Sequence, residues 1–437
     1  MNQKLFSKDF ILVTVGQIIS LFGNAALRFA LPLYLLNQTG SSALYGTVTA
    51  CAFIPAILLS PAGGIIADRV NKRNIMVILD FLTSALILIF YLSMGRANII
   101  LLIGGMLMLL YGIAGFYQPS VQASVPALVG KDKLMTANSI INSISSLSSL
   151  LGPVLGGILY SLYGLKTVLI LCSACFLLAA VMEIFIMIPF EKRERGKNIW
   201  ETARCDFSES LFFIRKEKPI IGKVLLVVCA INLFMSAMII VGLPYLITEV
   251  LSFSPERANR LYGFAEGALA AGGIAGGILT GIFAKRMAVK KAGHLLLACA
   301  VCVFPIGISL ATSSSDIVNY IVISTCCFIL MAISTMFTIQ MLSFVQAETP
   351  PGIVGKVIAL ILTASMCAQP IGSAFYGILF ESWKGFEHAV VLLAGTISLG
   401  IAIGTKKYLE VYDLELNEKL KKICYNTKWK AIGKHSL

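Results

Sequence analysis

The dominant pattern in the chain is a succession of apolar runs separated by short polar connections. A helix needs about 20 apolar residues to cross the hydrocarbon core of a bilayer. Backbone groups inside lipid must satisfy one another, so each run predicts a membrane-spanning helix. The pattern predicts twelve spans, with approximate limits 10–36, 43–67, 74–95, 98–118, 134–162, 167–189, 221–248, 260–284, 292–312, 317–345, 354–380 and 386–405.

Basic residues are distributed unequally over the connections between these runs. With the N-terminus inside, 29 of the 35 Lys and Arg residues fall on inner segments, five on outer loops and one, Arg28, within a span. Basic residues concentrate on the cytoplasmic side of membrane proteins, so both termini are predicted to be cytoplasmic. The same distribution explains the net charge of +13 without any nucleic-acid partner. The first run is too long for a signal-peptide core, which indicates a retained first span.

The chain also repeats itself. A shift of 217 residues superimposes Gly64 on Gly281 and Pro153 on Pro370, and it places Asp68 on Lys285. Alignment of two separate motifs by one shift indicates an internal duplication. We therefore predict an all-α integral membrane protein of two pseudo-symmetric six-helix bundles, residues 1–189 and 221–405, with a cytoplasmic linker at 190–220 and a basic tail at 406–437.

The composition indicates a membrane protein, and the sequence shows no motif that would indicate an enzyme. Apolar residues make up 57% of the chain and charged residues 13%, whereas soluble domains carry about 25% charged residues. The chain has no G-x-x-x-x-G-K-[ST] sequence for an ATP-driven pump and no Ser, His and Asp arrangement for catalysis. Cys172 with Cys175 and Cys299 with Cys302 have zinc-like spacing but lie in apolar runs without further ligands. We predict neither a metal site nor a cofactor.

The most distinctive stretch connects spans two and three. It reads Gly63-Gly64-Ile65-Ile66-Ala67-Asp68-Arg69-Val70-Asn71-Lys72-Arg73, and its pattern G-x-x-x-D-R-x-x-K-R resembles the signature loop of the major facilitator superfamily, with Asn71 in place of the usual glycine. The resemblance implies a conformational latch formed by Gly64, Asp68, Arg69 and Arg73, in which Asp68 faces the positive N-terminus of span eleven near 352–356. Arg69 and Arg73 would hold the turn and bind lipid phosphate. The alternative is an ordinary basic turn that sets topology.

Span five carries a stripe of small and polar residues that would let another helix approach closely. Within it, Gly152, Pro153, Gly156 and Gly157 match the G-P-x-x-G-G core of a motif that is typical of exporters in this superfamily. A packing seam with no bearing on direction is the alternative. In span eight Gly273, Gly277 and Gly281 predict a matching seam, and by resemblance spans five and eight meet across the two halves.

Polar residues within the spans are the candidates for substrate contact. Gln17, Asn24 and Arg28 fall within about 40° of one another on the first span. Arg28 either contacts an anionic or polar substrate group or pairs with Glu249 or Glu266. Because spans one, four, seven and ten line the cavity in this fold by resemblance, the predicted cavity adds Tyr111, Asn232, Met235 and Met336.

Proton coupling requires a titratable group in a changing environment. Glu266 is the best candidate, followed by Asp80 and Glu183, for which pairing with loop cations is the alternative. The first span contains no carboxylate, so the coupling ion stays open.

Two cytoplasmic segments show helical amphipathic spacing. Trp200, Ala203, Phe207, Leu211 and Ile214 form one apolar stripe, and the tail carries a second at Leu409, Tyr412, Leu416, Leu420 and Ile423. Both suit the anionic inner membrane surface, so lipids are predicted partners. Binding of a partner by the tail is the alternative.

A closer resemblance fixes the predicted function. Gly16-Gln17 through Ala30-Leu31-Pro32, and Val125-Pro126-Ala127-Leu128-Val129, are similar to the drug:proton antiporter branch that includes macrolide efflux proteins and a siderophore exporter. The resemblance implies a monomeric, proton-coupled exporter of small amphipathic molecules in the cell membrane of a bacterium. An importer on the same fold and a membrane sensor or scaffold that transports nothing are the alternatives.

Overall fold

The structure is a computed structural model that describes residues 7–96, 98–129, 133–188, 207–283, 291–313, 315–350 and 353–432. At 60–65, 67–69, 135, 139, 410 and 412–432 the description covers the backbone alone. The first helices are α1 (Lys8–Thr39), α2 (Ser42–Arg69), α3 (Lys72–Ser93) and α4 (Ile99–Leu128).

The next helical segment, Leu134–Ile184, contains two membrane spans. It breaks at Gly164, where φ of 73° and ψ of 175° cannot continue a right-handed helix. We call the part before the break α5 (134–163) and the part after it α6 (165–184). The break coincides with the short gap that hydropathy predicts between spans five and six.

The second half of the chain supplies six more helices. They are α7 (Pro219–Val250), α8 (Pro255–Phe283), α9 (Ala292–Thr312), α10 (Asp316–Glu348), α11 (Val354–Ser382) and α12 (Glu387–Ile432). Eleven described segments are long and apolar enough to cross a membrane, and the break at Gly164 makes twelve spans. The predicted all-α membrane fold with twelve spans is confirmed.

Local sequence explains how the signature turn forms. Val70 ends α2, and the side-chain oxygen of Asn71 accepts a hydrogen bond of 3.1 Å from the backbone N–H of Arg73 at the start of α3. An N-cap of this kind satisfies a backbone donor that the first turn of a helix leaves free. Asn71 therefore caps α3 from the position where the superfamily motif usually has glycine.

Contacts divide the helices into two groups. In the first half α1 and α3 pack on the α5–α6 segment, and α2 packs on α4; in the second half α8 packs on α10, and α9 packs on α10 and α12. Large apolar side chains cover the outside of the molecule, among them Leu101, Leu226 and Met187, which is 80% exposed. An apolar surface of this extent is expected where lipid is the solvent.

The two halves meet along two equivalent seams. α2 crosses α11 where Gly46 faces Ser373 and Gly377, and α5 crosses α8 where Gly157 faces Gly263. A Cβ added at Gly46 would lie 2.4 Å from the carbonyl oxygen of Ser373. The shift of 217 residues found in the sequence superimposes Gly46 on Gly263, so the duplication places a glycine at both crossings.

The two cytoplasmic segments differ from each other. A linker helix at 207–217 buries Phe213 and Ile214 and bonds to α11 through an ion pair of 2.7 Å between Glu209 and Lys356. Trp200 and Ala203 of the predicted linker stripe lie outside the described residues. In the tail, α12 continues without interruption to Ile432.

We expect Gly263→Val to hold the outer seam open. The new Cβ would lie 2.8 Å from the carbonyl oxygen of Pro153, and overpacking of this kind costs about 1–3 kcal/mol, roughly a tenfold shift between closed and open states. The measurement is the rate at which an impermeant maleimide labels Ser42→Cys, a buried seam position, in a background free of other cysteines.

Gly277→Val is the matched control on the same helix, because no described atom lies within 4 Å of the Cβ position there. Equal labelling rates in the two variants would show that the glycine crossing does not limit closure.

Candidate functional site

Three cavities meet at the side chain of Arg28. The first, of about 250 Å³, is lined by both halves of the protein and is called the central cavity here. A second, of about 110 Å³, lies within the first half, and a third, of about 320 Å³, lies between α1, α4 and α5. Residues lining the central cavity include Arg28, Phe29, Tyr45, Phe53, Tyr111, Ile240, Tyr262 and Glu266.

Arg28 is held by an aromatic ring. Its guanidinium carbon lies 3.8 Å from the ring centroid of Tyr111, and the Tyr111 ring packs at 4.8 Å against Phe53. Among the described residues no carboxylate lies within 4 Å of the guanidinium, and its Nε has no hydrogen-bond partner. A cation–π contact partly replaces the lost hydration. The predicted alternative, an ion pair with Glu249 or Glu266, is not formed in this conformation.

Glu266 supplies an acidic group to the central cavity. Tyr262, one helical turn earlier on α8, donates a hydrogen bond of 3.3 Å to its Oε1. The Tyr262 ring stacks on Phe29 of the opposite half, with ring centroids 4.6 Å apart. The cavity thus combines one cation, one carboxyl group and five aromatic rings, a set that can bind apolar bodies with a polar or charged end.

The outer end of the molecule is closed by direct contacts between the halves. Asn37 of α1 donates a hydrogen bond of 2.9 Å to the side-chain oxygen of Asn259 on α8. Ser161 donates to the carbonyl of Glu256 at 2.6 Å, and Ser42 donates to the carbonyl of Gly377 at 2.9 Å.

On the cytoplasmic side the described ion pairs do not join the halves. Lys218–Glu348 connects the residue before α7 to the end of α10, and Glu209–Lys356 connects α11 to the linker helix. The positive-inside distribution identifies this side as cytoplasmic. Among the described residues, the side-chain hydrogen bonds between the halves lie at their outer ends, as in an inward-facing conformation.

A second polar cluster lies inside the first half. Ser20 of α1 donates a hydrogen bond of 2.5 Å to Asp80 of α3, and Tyr117 of α4 donates one of 2.8 Å to Glu183 of α6. Asp80 is 2% exposed and Glu183 is fully buried. No ion pair with either carboxyl group occurs in the part of the chain that the structure describes, so the alternative of pairing with loop cations has no support there.

The exporter motif lies at the crossing of three helices. A Cβ at Gly152 would lie 2.3 Å from the Cβ of Ala25, and one at Gly156 would lie 3.3 Å from the Cα of Ala26, both on α1. Gly157 and Pro153 face Gly263 of α8 instead. The motif thus packs α5 against α1 of its own half and, on another face, against α8 of the other half.

The predicted glycine seam on α8 was placed at the wrong end of the helix. Gly277 and Gly281 have no described atom within 4 Å of a Cβ position, and Gly273 approaches α10. The contact with α5 uses Asn259, Gly263 and Gly267. The reason is the inward-facing arrangement, in which α5 and α8 converge only near their outer ends.

The latch residues are described in part. Gly64, Asp68 and Arg69 lie in the last two turns of α2, but their side chains fall outside the description, and so does Gly352. Arg73 donates a hydrogen bond from its guanidinium to the carbonyl of Ile184, which ties the start of α3 to the end of α6.

The predicted cavity residues divide into two groups. Arg28, Asn24 and Tyr111 line the cavities. Gln17, Asn232, Met235 and Met336 are not among their lining residues. Met235 is buried against the second half, Gln17 is fully buried in the first half, and the Asn232 amide donates to the carbonyl of Val228 on its own helix.

Sequence reasoning missed Tyr45, Tyr262, Phe29 and the Asn37–Asn259 bridge. A signal for part of this site was present, because Asn259, Tyr262 and Glu266 recur at helical spacing on α8. The partners on α1 could not be read in the same way, since nothing in a single sequence shows which faces of the two halves meet.

Comparison with known proteins is consistent with this geometry. The family model of the Major Facilitator Superfamily matches residues 13–406. The chain is 26% identical to Macrolide efflux protein A of Streptococcus pyogenes over 93% of this chain and 97% of that protein. It is 24% identical to Macrolide efflux protein A of Enterococcus faecalis, over 76% of this chain and 99% of that protein.

Solved structures share the fold at low identity. The nucleoside transporter NupG superimposes with a TM-score of 0.73 at 12% identity, covering 91% of this chain and 98% of that one. A bacterial homologue of the iron transporter ferroportin superimposes with a TM-score of 0.67 at 18% identity, covering 90% and 98%.

We expect Asn259→Ala to favour opening of the outer mouth. Loss of one hydrogen bond between neutral groups costs about 1 kcal/mol, which is roughly a fivefold change in the ratio of closed to open molecules. Spin labels at the exposed outer positions Lys166 and Lys384, one on each half, report the change as a larger population at long distances.

Asn319→Ala is the control. It removes a buried hydrogen bond of 2.6 Å to Ser309 within the second half, so the distance distribution should match that of the unsubstituted protein. A shift of the same size in both variants would mean that the Asn37–Asn259 bridge has no special part in closure.

Proposed function

Since the chain belongs to the major facilitator superfamily of membrane transporters, we propose that it exports small amphipathic molecules of the macrolide type across the bacterial cell membrane in exchange for protons. The main support for the direction of transport and for the kind of cargo is the similarity to proteins named for macrolide efflux. This similarity spans nearly the full length of one of them.

The observation that carries the mechanism is the central cavity. Both halves line it, and the contacts that close the molecule lie on its outer side. A cavity between two halves that touch at one end can be exposed to the other side of the membrane by rocking one half against the other. Glycine crossings at Gly46 and Gly263 allow the backbones to touch and separate without moving large side chains.

The lining of the cavity suits the proposed cargo. Tyr111, Phe53 and the stacked Phe29 and Tyr262 rings offer apolar faces to a large organic molecule. Glu266 offers a carboxyl group to an amine on that molecule. Binding through ring faces tolerates variation in cargo shape because it depends on few directional contacts.

The latch is the proposed control over the cytoplasmic mouth. Gly64 would let Asp68 approach the N-terminus of α11, and the helix dipole would hold its carboxylate there when the halves close on the inner side. Arg69 and Arg73 would hold the turn and contact lipid phosphate. In the inward-facing conformation this latch is expected to be open.

The remaining assignments belong to the same proposal. Bundles 1–189 and 221–405 act as the two rocking units, and the linker at 190–220 and the tail at 406–437 rest on membrane lipids. The protein works as a monomer without a cofactor, and Asp80, Glu183 and Glu266 are the carboxyl groups available to a coupling proton.

A second candidate follows from Arg28. A guanidinium in the central cavity with no acidic partner in the described residues would suit an anionic solute, and an importer would use such a group. Uptake of a labelled anion by cells that express the protein, with no change in drug tolerance, would favour this candidate.

The test of the primary proposal is accumulation of toxic compounds, macrolides first, in cells with and without the protein. Export predicts lower accumulation, and the difference should vanish on addition of a protonophore but not on ATP depletion alone. If no compound in a broad panel changes its accumulation, the exporter assignment is wrong.

We expect Asp68→Asn to lose most of the flux, roughly tenfold or more, because a neutral amide interacts less strongly with a helix dipole. A membrane sensor or scaffold that transports nothing would keep its activity in this variant. The control is Asp316→Asn, which removes an acidic group from the first turn of α10 on the outer side. Equal flux in both variants would contradict the latch.

We expect Glu266→Gln to weaken binding of amine-bearing cargo about tenfold, since a charge-assisted hydrogen bond contributes about 1.5–3 kcal/mol, and to leave uncharged cargo unaffected. Binding is measured by ligand-dependent thermal stabilisation of purified protein. Glu249→Gln is the matched control near the outer end of α7, where Glu249 accepts a hydrogen bond from Thr248. Equal losses for charged and uncharged cargo would assign Glu266 a structural role.

A further inference from the structure

The polar cluster inside the first half brings together side chains from four helices. Asp80 accepts a hydrogen bond from Ser20, Glu183 accepts one from Tyr117, and Ser20, Asp80 and Tyr117 line the same 110 Å³ cavity. The two carboxyl groups, 103 positions apart in the sequence, thus lie at neighbouring positions of one cluster.

This polar cluster is enclosed by protein. Ser20 is 4% exposed and Tyr117 is 6% exposed, and the two carboxyl groups are buried more deeply still. Ser20, Asp80 and Tyr117 line the 110 Å³ cavity, whereas Glu183 lies behind them against Gly16 of α1, whose Cβ position is 3.4 Å from the Glu183 Oε1.

Hydrogen-bonding capacity is left over around the cluster. Oε2 of Glu183 has no partner, and neither side-chain atom of Gln17 has one, although Gln17 is fully buried. Gln17 lies one turn before Ser20 and two turns before Asn24, on the face of α1 from which Asn24 reaches the 110 Å³ cavity. Buried polar atoms normally have partners, so Oε2 of Glu183 is a position at which a proton can be held.

The charged groups around the cluster can be named helix by helix. From α1 come Gln17 and Ser20, which are uncharged, and Arg28 at the far side of the cavity; α3, α4 and α6 contribute Asp80, Tyr117 and Glu183. At the inner end Arg73 donates to the carbonyl of Ile184, and Asp9 accepts a hydrogen bond from the backbone of Met187. In the described residues no cation forms an ion pair with the two carboxyl groups.

Two ionised carboxylates buried this deeply, without a cationic partner among the described residues, would be costly. A proton on the pair removes one charge and satisfies a vacant oxygen. Two carboxyl groups that interact in this way titrate as a unit.

We propose that Asp80 and Glu183, which accept hydrogen bonds from Ser20 and Tyr117, bind the coupling proton, and that Arg28 links this site to the cargo cavity. The proposal rests on the proposed function, proton-coupled export, and narrows its three candidate carboxyl groups to this pair. Glu266, which opens into the central cavity, is left to contact cargo.

Arg28 provides the link because it lines both cavities. It rests on Tyr111 in the central cavity and reaches the 110 Å³ cavity that Asp80 also lines. Cargo that packs on Tyr111 displaces the guanidinium toward Asp80. The O–H bond of the protonated carboxyl group then breaks, the proton leaves to water on the cytoplasmic side, and the carboxylate pairs with Arg28. Cargo and proton therefore exclude each other, as exchange requires.

The experiment uses the full-length protein purified in detergent and reconstituted in vesicles, with a radiolabelled macrolide that the unsubstituted protein transports. A pH-indicator dye in weak buffer reports protons released when the macrolide is added to detergent-solubilised protein. We expect about one proton per protein from the unsubstituted chain and from Glu249→Gln. We expect release to fall at least tenfold in Asp80→Asn and Glu183→Gln.

Transport separates the same variants. Asp80→Asn and Glu183→Gln should lose accumulation driven by a pH gradient, yet keep exchange of labelled for unlabelled macrolide at equal pH. Tyr117→Phe removes the hydroxyl group that donates to Glu183 and keeps the ring, so its pH-gradient-driven flux should fall while exchange persists. This variant also decides the question if Asp80→Asn does not fold.

Unchanged proton release in Asp80→Asn or Glu183→Gln, or its loss in Glu249→Gln, would overturn the proposal. So would accumulation that follows a sodium gradient and ignores a pH gradient. These results all require that the unsubstituted protein transports the macrolide, whereas absence of transport by every compound in the panel would refute the exporter assignment itself.

Discussion

Backbone contact between the two halves at glycine crossings is the constraint on which the rest of this structure depends. At Gly46 and Gly263 any side chain would collide with a carbonyl oxygen of the opposite half. Close approach there brings Asn37 to Asn259 and Phe29 to Tyr262, which closes the outer end and makes the cavity beneath it a space shared by both halves. Lipid provides little hydrophobic drive for helices to associate, so such contacts rest on packing and hydrogen bonds. A seam of this kind is weak enough to open.

Hydropathy and charge predicted much of the fold because lipid imposes strict rules on the chain. Spans follow from length and apolarity, and orientation follows from 29 basic residues on one side. Even the break between spans five and six could be predicted from the sequence, since Gly164 lies in the predicted gap. The connection of the tail to the last span could not be read in the same way. Its apolar stripe predicted a helix, but amphipathic spacing alone does not tell that this helix continues α12 without a break.

The site was predicted less completely, for a physical reason. A polar residue within a span is conspicuous, so Arg28, Glu266, Asp80 and Glu183 could be named as candidates, but the direction of each side chain depends on how helices rotate and which faces meet. Met235 shares a helix with cavity residue Ile240 yet is buried and does not line that cavity. Gly277 shares a helix with Gly263, yet no described atom lies within 4 Å of its Cβ position. The missing information is the relative position of the halves, and that position changes in a transporter.

The two halves share the glycines that pack them together but not the charged residues, and this asymmetry explains how one cavity could serve varied cargo. Gly46 and Gly263 are equivalent under the shift of 217 residues, whereas Asp68 corresponds to Lys285, Asp80 to Leu297 and Arg28 to Tyr245. Among the described residues, the buried carboxyl groups Asp80 and Glu183 accordingly lie in the first half, away from the aromatic lining of the central cavity. If the proton is held there, cargo does not need to contact the carboxyl group that binds it. Cargo needs only to displace a guanidinium from a ring face, which molecules of many shapes can do. The constraint on cargo is then the size and polarity of the central cavity rather than a fixed pattern of hydrogen bonds.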